Sequence, residues 1–141
     1  MSASPEVIAT VGLPGAGKST WAKAEVRDSY GRTKRVNKDD LRAMIDNSEW
    51  SEENERAIEA ARDALVECFL ALGFSVVCDD TNLYDGHLKR LQWLANEYGA
   101  TFRIEDFRNV SVEECIKRDR QRIKGAVGED VIRRMHERSM T

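Results

Sequence analysis

Gly12, Gly17, Lys18 and Ser19 stand in "GLPGAGKST" at the spacing G-x-x-x-x-G-K-[ST], a pattern whose chemistry is the cradling of phosphate. Glycines let backbone N–H groups turn inward around an anion, and the start of a following helix adds positive potential. Lys18 is then placed to reach the outer phosphates of a nucleoside triphosphate, and the Ser19 hydroxyl is placed to ligate Mg2+. Gly15, Ala16, Gly17 and Thr20 complete the candidate nucleotide site.

Three more stretches carry groups that suit phosphoryl transfer. "VNKDDLR" holds Asp39, Asp40 and Arg42, and a kinase needs one carboxylate to orient and deprotonate an attacking hydroxyl. Either aspartate fits that role. The other is expected to cap a helix beginning at "DDLRAMI", accepting backbone N–H bonds and complementing the dipole. "CDDTN" offers Asp79 or Asp80 as the acidic residue near magnesium, with Thr81 and Asn82 as donors for a phosphate or sugar. "KRDRQRIK" gathers Lys117, Arg118, Arg120, Arg122 and Lys124. Its Arg118 and Arg122 have the i, i+4 spacing of one helical face, which suits a lid closing arginines over a transferring phosphoryl group.

These residues need a scaffold that brings them to one edge. Strands are predicted at 6–12, 33–37, 74–80 and 101–107, where β-branched or alternating apolar residues run between turns. Helices are predicted at 19–28, 51–73, 85–99, 111–122 and 129–140, with Ser51 and Ser111 as caps and Gly73 and Gly99 as stops. Strands alternating with helices give an α/β fold with a four-stranded, mainly parallel sheet flanked by helices. In such a sheet ligands bind outside the carboxyl ends of the strands, and each chemistry-bearing stretch above follows a strand or closes the C-terminal part. Gly125 and Gly128 mark a mobile joint before the last helix.

The totals exclude several classes. A chain of 141 residues has room for one core, so a single domain over 1–141 is expected. The 41% hydrophobic and 33% charged fractions are those of a globular protein. No apolar run approaches the roughly 18 residues of a membrane span, and the N-terminus lacks a secretory pattern, so a cytoplasmic setting is expected. Cys68, Cys78 and Cys115 form no C-x-x-C pair and are read as buried or half-buried small apolar residues, and His87 and His136 form no metal pair. A net charge of −3 argues against coating of duplex nucleic acid. Trp21, Trp50 and Trp93 are read as core or rim packing residues ahead of base-stacking platforms, with exposure of Trp50 in the polar "NSEWSEE" as the alternative for that residue. No N-K-x-D segment is present to read guanine, and a motor ATPase is usually longer, so a small kinase leads.

Taken in order, "TVGLPGAGKSTWA", "VNKDDLR", "CDDTNL", "ANEYG", "CIKRDRQRIKGAV" and "DVIRRMHERSM" resemble the 5′-kinase domain of the phage and bacterial polynucleotide kinases, within the P-loop kinase superfamily. The resemblance implies a P-loop kinase fold with a C-terminal basic lid. It implies transfer of the γ-phosphoryl of ATP or another nucleoside triphosphate, GTP included, to a 5′-OH end of DNA or RNA, with Mg2+ bound through Ser19. It implies Asp39 as general base, with Lys18 and Arg122 also catalytic and Arg118 and Arg122 near the donor phosphates. Arg42 would bind the phosphate of the acceptor's terminal nucleotide, with Thr81, and Asp80 would belong to the active site on the acceptor side. A bacterial or phage-infected cytoplasm follows from the same likeness. Family members often carry a fused 3′-phosphatase, but no D-x-D-x-T signature occurs here. A longer parent protein and a homo-oligomer both stay open, as does a small-metabolite kinase or a non-catalytic nucleotide-binding module.

Overall fold

The computed structural model describes residues 4–123 and 125–139. Its order is β1 (Glu6–Val11), α1 (Lys18–Asp28), β2 (Thr33–Val36), α2 (Lys38–Asp46), α3 (Glu52–Ala71), β3 (Ser75–Cys78), α4 (Asp85–Glu97), β4 (Thr101–Asp106), α5 (Val112–Arg120) and α6 (Glu129–Ser139). Lys124 of the basic run and Met140 at the end of the last expected helix lie outside the described residues.

The strands form one sheet in the order β2-β3-β1-β4, and every pairing is parallel. β1 is central because it can be: all of its residues after Glu6 are buried, as a strand covered on both faces requires. Val7 and Ala9 face a layer of α3 and α4, packing with Ile58, Val66, Leu70, Leu91 and Leu94. Ile8 points the other way, toward Ala22 and Trp21 of α1. A third cluster, Leu13, Ala16, Cys115, Ile116 and Ile132, fastens α5 and α6 to the loop after β1. The fold is thus the expected P-loop kinase architecture, and among the described residues no helix is long and apolar enough to cross a membrane.

Two serine caps are as the spacing predicts: Ser51 accepts from the Asn54 N–H at 3.0 Å and Ser111 from the Glu114 N–H at 3.1 Å. The cap of α2 is different. Neither Asp39 nor Asp40 caps it; Asn37 does, its side-chain oxygen accepting from the Asp40 N–H at 2.9 Å. Asn37 is extended and immediately precedes the first helical residue, the position from which a side chain reaches the third N–H of the first turn. Asp40 instead turns out to Arg35, at 2.9 Å.

Cys78 and Cys115 are buried, but Cys68 is exposed because α3 turns that face to solvent. Of the tryptophans, Trp21 packs edge-on against Phe107 at 6.1 Å. Trp93 is half exposed beneath the Arg90 guanidinium, and Trp50 is 69% exposed, so neither is a core residue.

Candidate active site

The loop from Gly12 to Gly17 joins β1 to α1, and its shape follows from its glycines. Gly15 takes φ +86° and lies against α5, where a Cβ would run into the Cys115 carbonyl oxygen. Gly17 takes φ +100° at the N-cap of α1, so this helix has a backbone turn rather than a side chain at its start. Lys18 is buried, and its Nζ folds back to donate to the Leu13 carbonyl at 2.5 Å. Burial lowers its pKa to about 8, against the opposing pull of Asp79. A cavity of about 180 Å³ is lined by Gly15, Gly17, Lys18, Ser19 and Thr20 with Arg118 and Arg122. Ala16, expected in the nucleotide site, is not among the residues lining this cavity: its side chain is in the α5–α6 cluster and its N–H donates to Leu13 at 3.2 Å.

The two arginines reach the loop by different routes. Arg118, on α5, donates to the Ala16 carbonyl at 3.2 Å and to Glu114 at 3.1 Å. Arg122 does not share its helical face, contrary to the i, i+4 expectation. The N–H groups of Gln121 and Arg122 bond back to Arg118 and Asp119 at 3.2 and 3.1 Å, three residues behind each, and close the helix before Arg122. Arg122 therefore leaves from the segment between α5 and α6, and that segment is fixed by Asp119. Only 2% exposed, Asp119 accepts from the Val127 and Gly128 N–H groups at 2.8 Å each.

A second cavity of about 280 Å³ adjoins the first through Lys18, Ser19 and Arg122, and is also lined by Asp39, Arg42, Asp80 and Thr81. Every acceptor-side residue expected from sequence is thus in one place. Asp39 is largely exposed, and its Oδ1 accepts from Arg42 Nη1 at 2.7 Å. Arg42 is held from its other edge by Glu55 of α3, whose Oε2 accepts from Nε at 3.0 Å while Oε1 pairs with Nη2. That guanidinium keeps the Glu55 carboxyl below its ordinary range.

At the end of β3 the two aspartates divide. Asp79 is buried and pairs with Arg35 at 2.7 Å. Asp80 Oδ1 accepts from the Lys38 N–H at 2.9 Å, while its Oδ2 is buried without a hydrogen-bond partner among the described residues. Burial raises the Asp80 pKa, opposed by the charges of Lys38 and Arg62. Asp80 and Ser19 line the same cavity, and a carboxylate with a hydroxyl suits a hydrated divalent cation, so these two residues fit Mg2+, which would supply charge neutralisation at donor phosphates.

Asn82 is not a donor for ligand, as "CDDTN" suggests. It is 2% exposed at φ +46°, and its amide donates to the carbonyls of Thr10 and Cys78 at 2.8 and 3.3 Å. It thereby ties the ends of β1 and β3 together. The Gly12 N–H adds a bond to the Thr81 carbonyl at 3.0 Å, so the phosphate loop and the acceptor-side loop are directly joined.

Sequence reasoning missed Glu55, Arg62 and Asp119, and it brings Lys38 to the crevice edge with Asp39, Asp40 and Arg42 without giving it a role. Lys38 lines the second cavity, is 7% exposed, and forms no side-chain hydrogen bond or ion pair among the described residues. Its signal was its place in "NKDD", at the first helical position beyond a strand.

A family model described as an AAA domain matches residues 7–140. Among solved structures, a chain of the Pnkp1/Rnl/Hen1 complex aligns with TM-score 0.74 and 31% identity over 89% of this chain and 42% of that one. A chain of the Pnkp1/Rnl/Hen1 RNA repair complex aligns with TM-score 0.78 and 27% identity, over 99% and 45%. The present chain spans less than half the length of either. The Mycobacterium tuberculosis APS kinase CysC, in complex with AMPPNP and APS, shares the fold with TM-score 0.68 and 17% identity over 85% and 71%.

Proposed function

The chain belongs to the AAA domain family and is a P-loop kinase, and from that premise we propose that it phosphorylates the 5′-OH end of a polynucleotide. The observation that carries this reading is the joined pair of Asp39 and Arg42 in the cavity that faces Lys18 and Ser19. A carboxylate and a guanidinium one helical turn apart supply a base for a hydroxyl and a clamp for a phosphate on the same acceptor. A 5′-terminal nucleotide presents that combination. The 31% identity to a chain of the Pnkp1/Rnl/Hen1 complex supports the choice.

In the proposed reaction Lys18 and the loop N–H groups bind the β- and γ-phosphates of ATP or another triphosphate. Asp39 takes the proton of the 5′-hydroxyl as its oxygen attacks the γ-phosphorus and the bridging oxygen leaves with the nucleoside diphosphate. Arg118 and Arg122 neutralise charge spreading over the equatorial oxygens. Arg42 anchors the acceptor phosphate with Thr81. Mg2+ would be held by Ser19 with Asp80 near it. Bulk affinity for nucleic acid need not be high, because only the end must be gripped.

The test is transfer of γ-labelled phosphate, with Mg2+, to 5′-OH oligonucleotides beside a panel of nucleosides and sugars. Label on the oligonucleotide is expected. Label confined to a small metabolite keeps the kinase and removes the polynucleotide acceptor.

A further inference from the structure

Two further hollows share lining residues with the acceptor cavity. Met135, on α6, lines the acceptor cavity and both hollows, of about 340 and 560 Å³. Arg138, one turn further along α6, lines both of these. The first hollow runs from Thr81 to Tyr84 and His87, and the second is closed by Trp50, Val131 and Arg134. Both aromatic walls face solvent: Trp50 and Tyr84 are each 69% exposed. Tyr84 is braced edge-on by His87 at 5.2 Å. Arg134 donates to the Asp130 carbonyl at 3.3 Å and joins no ion pair among the described residues.

Large rings left in water at the mouth of a catalytic cavity, with arginines between them, are costly to keep for packing alone. Stacking platforms beside cations are what a single strand needs, because every base has a face and every linkage a charge. Resting on the polynucleotide reading above, we propose that these hollows form a groove that holds the second and third nucleotides of a single-stranded 5′ end. Trp50 stacks one of the bases, and Arg134 pairs with a phosphate. Continuity through Met135 and Thr81 gives the strand its path from the reacting hydroxyl.

The occupant sets the test. Phosphorylation of a nucleoside 3′-monophosphate is compared with that of di-, tri- and tetranucleotides having a 5′-OH, for the wild type, Trp50→Ala and Trp50→Phe. Wild-type kcat/KM is expected to climb with the second and third nucleotides. Trp50→Ala should lose that gain, by roughly 5- to 100-fold as expected for one stacked base, with the mononucleotide rate unchanged. Trp50→Phe should keep most of it. A climb that persists undiminished in Trp50→Ala, or no climb in the wild type, overturns the groove assignment while the 5′-kinase reading stands. A wild type that phosphorylates no nucleotide acceptor at all overturns both.

Discussion

Arg42 Nη1 lies 2.7 Å from Asp39 Oδ1, and Glu55 grips the opposite edge of the same guanidinium. The Arg42 guanidinium is therefore aimed from two elements, α2 and α3. Losing Arg42 removes a charged contact worth about 1.5–3 kcal/mol. Arg42→Ala should raise the acceptor KM by roughly 10- to 100-fold and leave nucleotide affinity nearly unchanged. Glu55→Gln should give a smaller rise of the same kind, since it loosens the aim and leaves the charge. Steady-state kinetics with the oligonucleotide varied measure both. A Glu55→Gln enzyme with wild-type acceptor KM would show that Arg42 is positioned by α2 alone.

Asp39→Asn keeps the shape and the bond to Arg42 but cannot accept the hydroxyl proton. Transfer should fall by about 100-fold or more, the usual worth of a placed general base. The affinity for a non-hydrolysable triphosphate, measured by calorimetry, should hold. Undiminished transfer would shift the role to another carboxylate of the cavity.

If Lys18 binds the donor as proposed, its ammonium should make that binding pH-dependent. With its pKa lowered from 10.5 to about 8 by burial, the lysine of the free protein is charged below that pH and neutral above it. A fully ionised triphosphate favours the charged form. Its affinity should be greatest below about pH 8 and then fall, approaching about tenfold per pH unit, as one proton must be taken up on binding. The stability of the free protein has the opposite slope from this group. Between about 8 and 10.5 the unfolded chain holds the proton that the folded chain has lost, so the Lys18 contribution rises with pH across that window. Calorimetric titrations from pH 6.5 to 9.5 check the first sign, with Lys18→Ala as the pH-independent control.

Asp119 gives a prediction away from the reacting atoms. Asp119→Ala leaves the Val127 and Gly128 N–H groups without their acceptor, at a cost of about 1–3 kcal/mol, and frees the segment that carries Arg122. Turnover should drop more than nucleotide affinity, because Arg118 is held separately through Ala16 and Glu114. Thermal denaturation and kcat together distinguish this from simple unfolding. Asp119→Asn, which retains one acceptor oxygen, should recover part of both.

What could be read from the sequence was whatever has a local signature. The strands at 6–12, 33–37, 74–80 and 101–107 match β1 to β4 within one or two residues at their ends, because each is an apolar or alternating run between breakers. The phosphate loop announces itself by glycines that no other residue can replace there. Glu55 had no such mark: it sits in the acidic first turn of α3, where a helix dipole already accounts for carboxylates, and its partner is on another helix. Asp119 was hidden inside an arginine-rich run whose net sign drew attention to the cations. The Asn37 cap was visible, three residues before Asp40, but two adjacent aspartates made the commoner explanation look sufficient.

The position of β1 in the sheet also bears on how the chain is made. Of the four strands it is the first in the chain, yet its partners β3 and β4 follow late, and the Asn82 bond that locks its end to β3 spans 72 residues. Until then the nascent phosphate loop hangs from a strand with both apolar faces and both edges open, a sticky species of the kind that slow parallel pairing exposes. A truncation that removes β4 would leave that condition permanent on one side, producing an edge ready to template aggregation rather than a smaller working kinase.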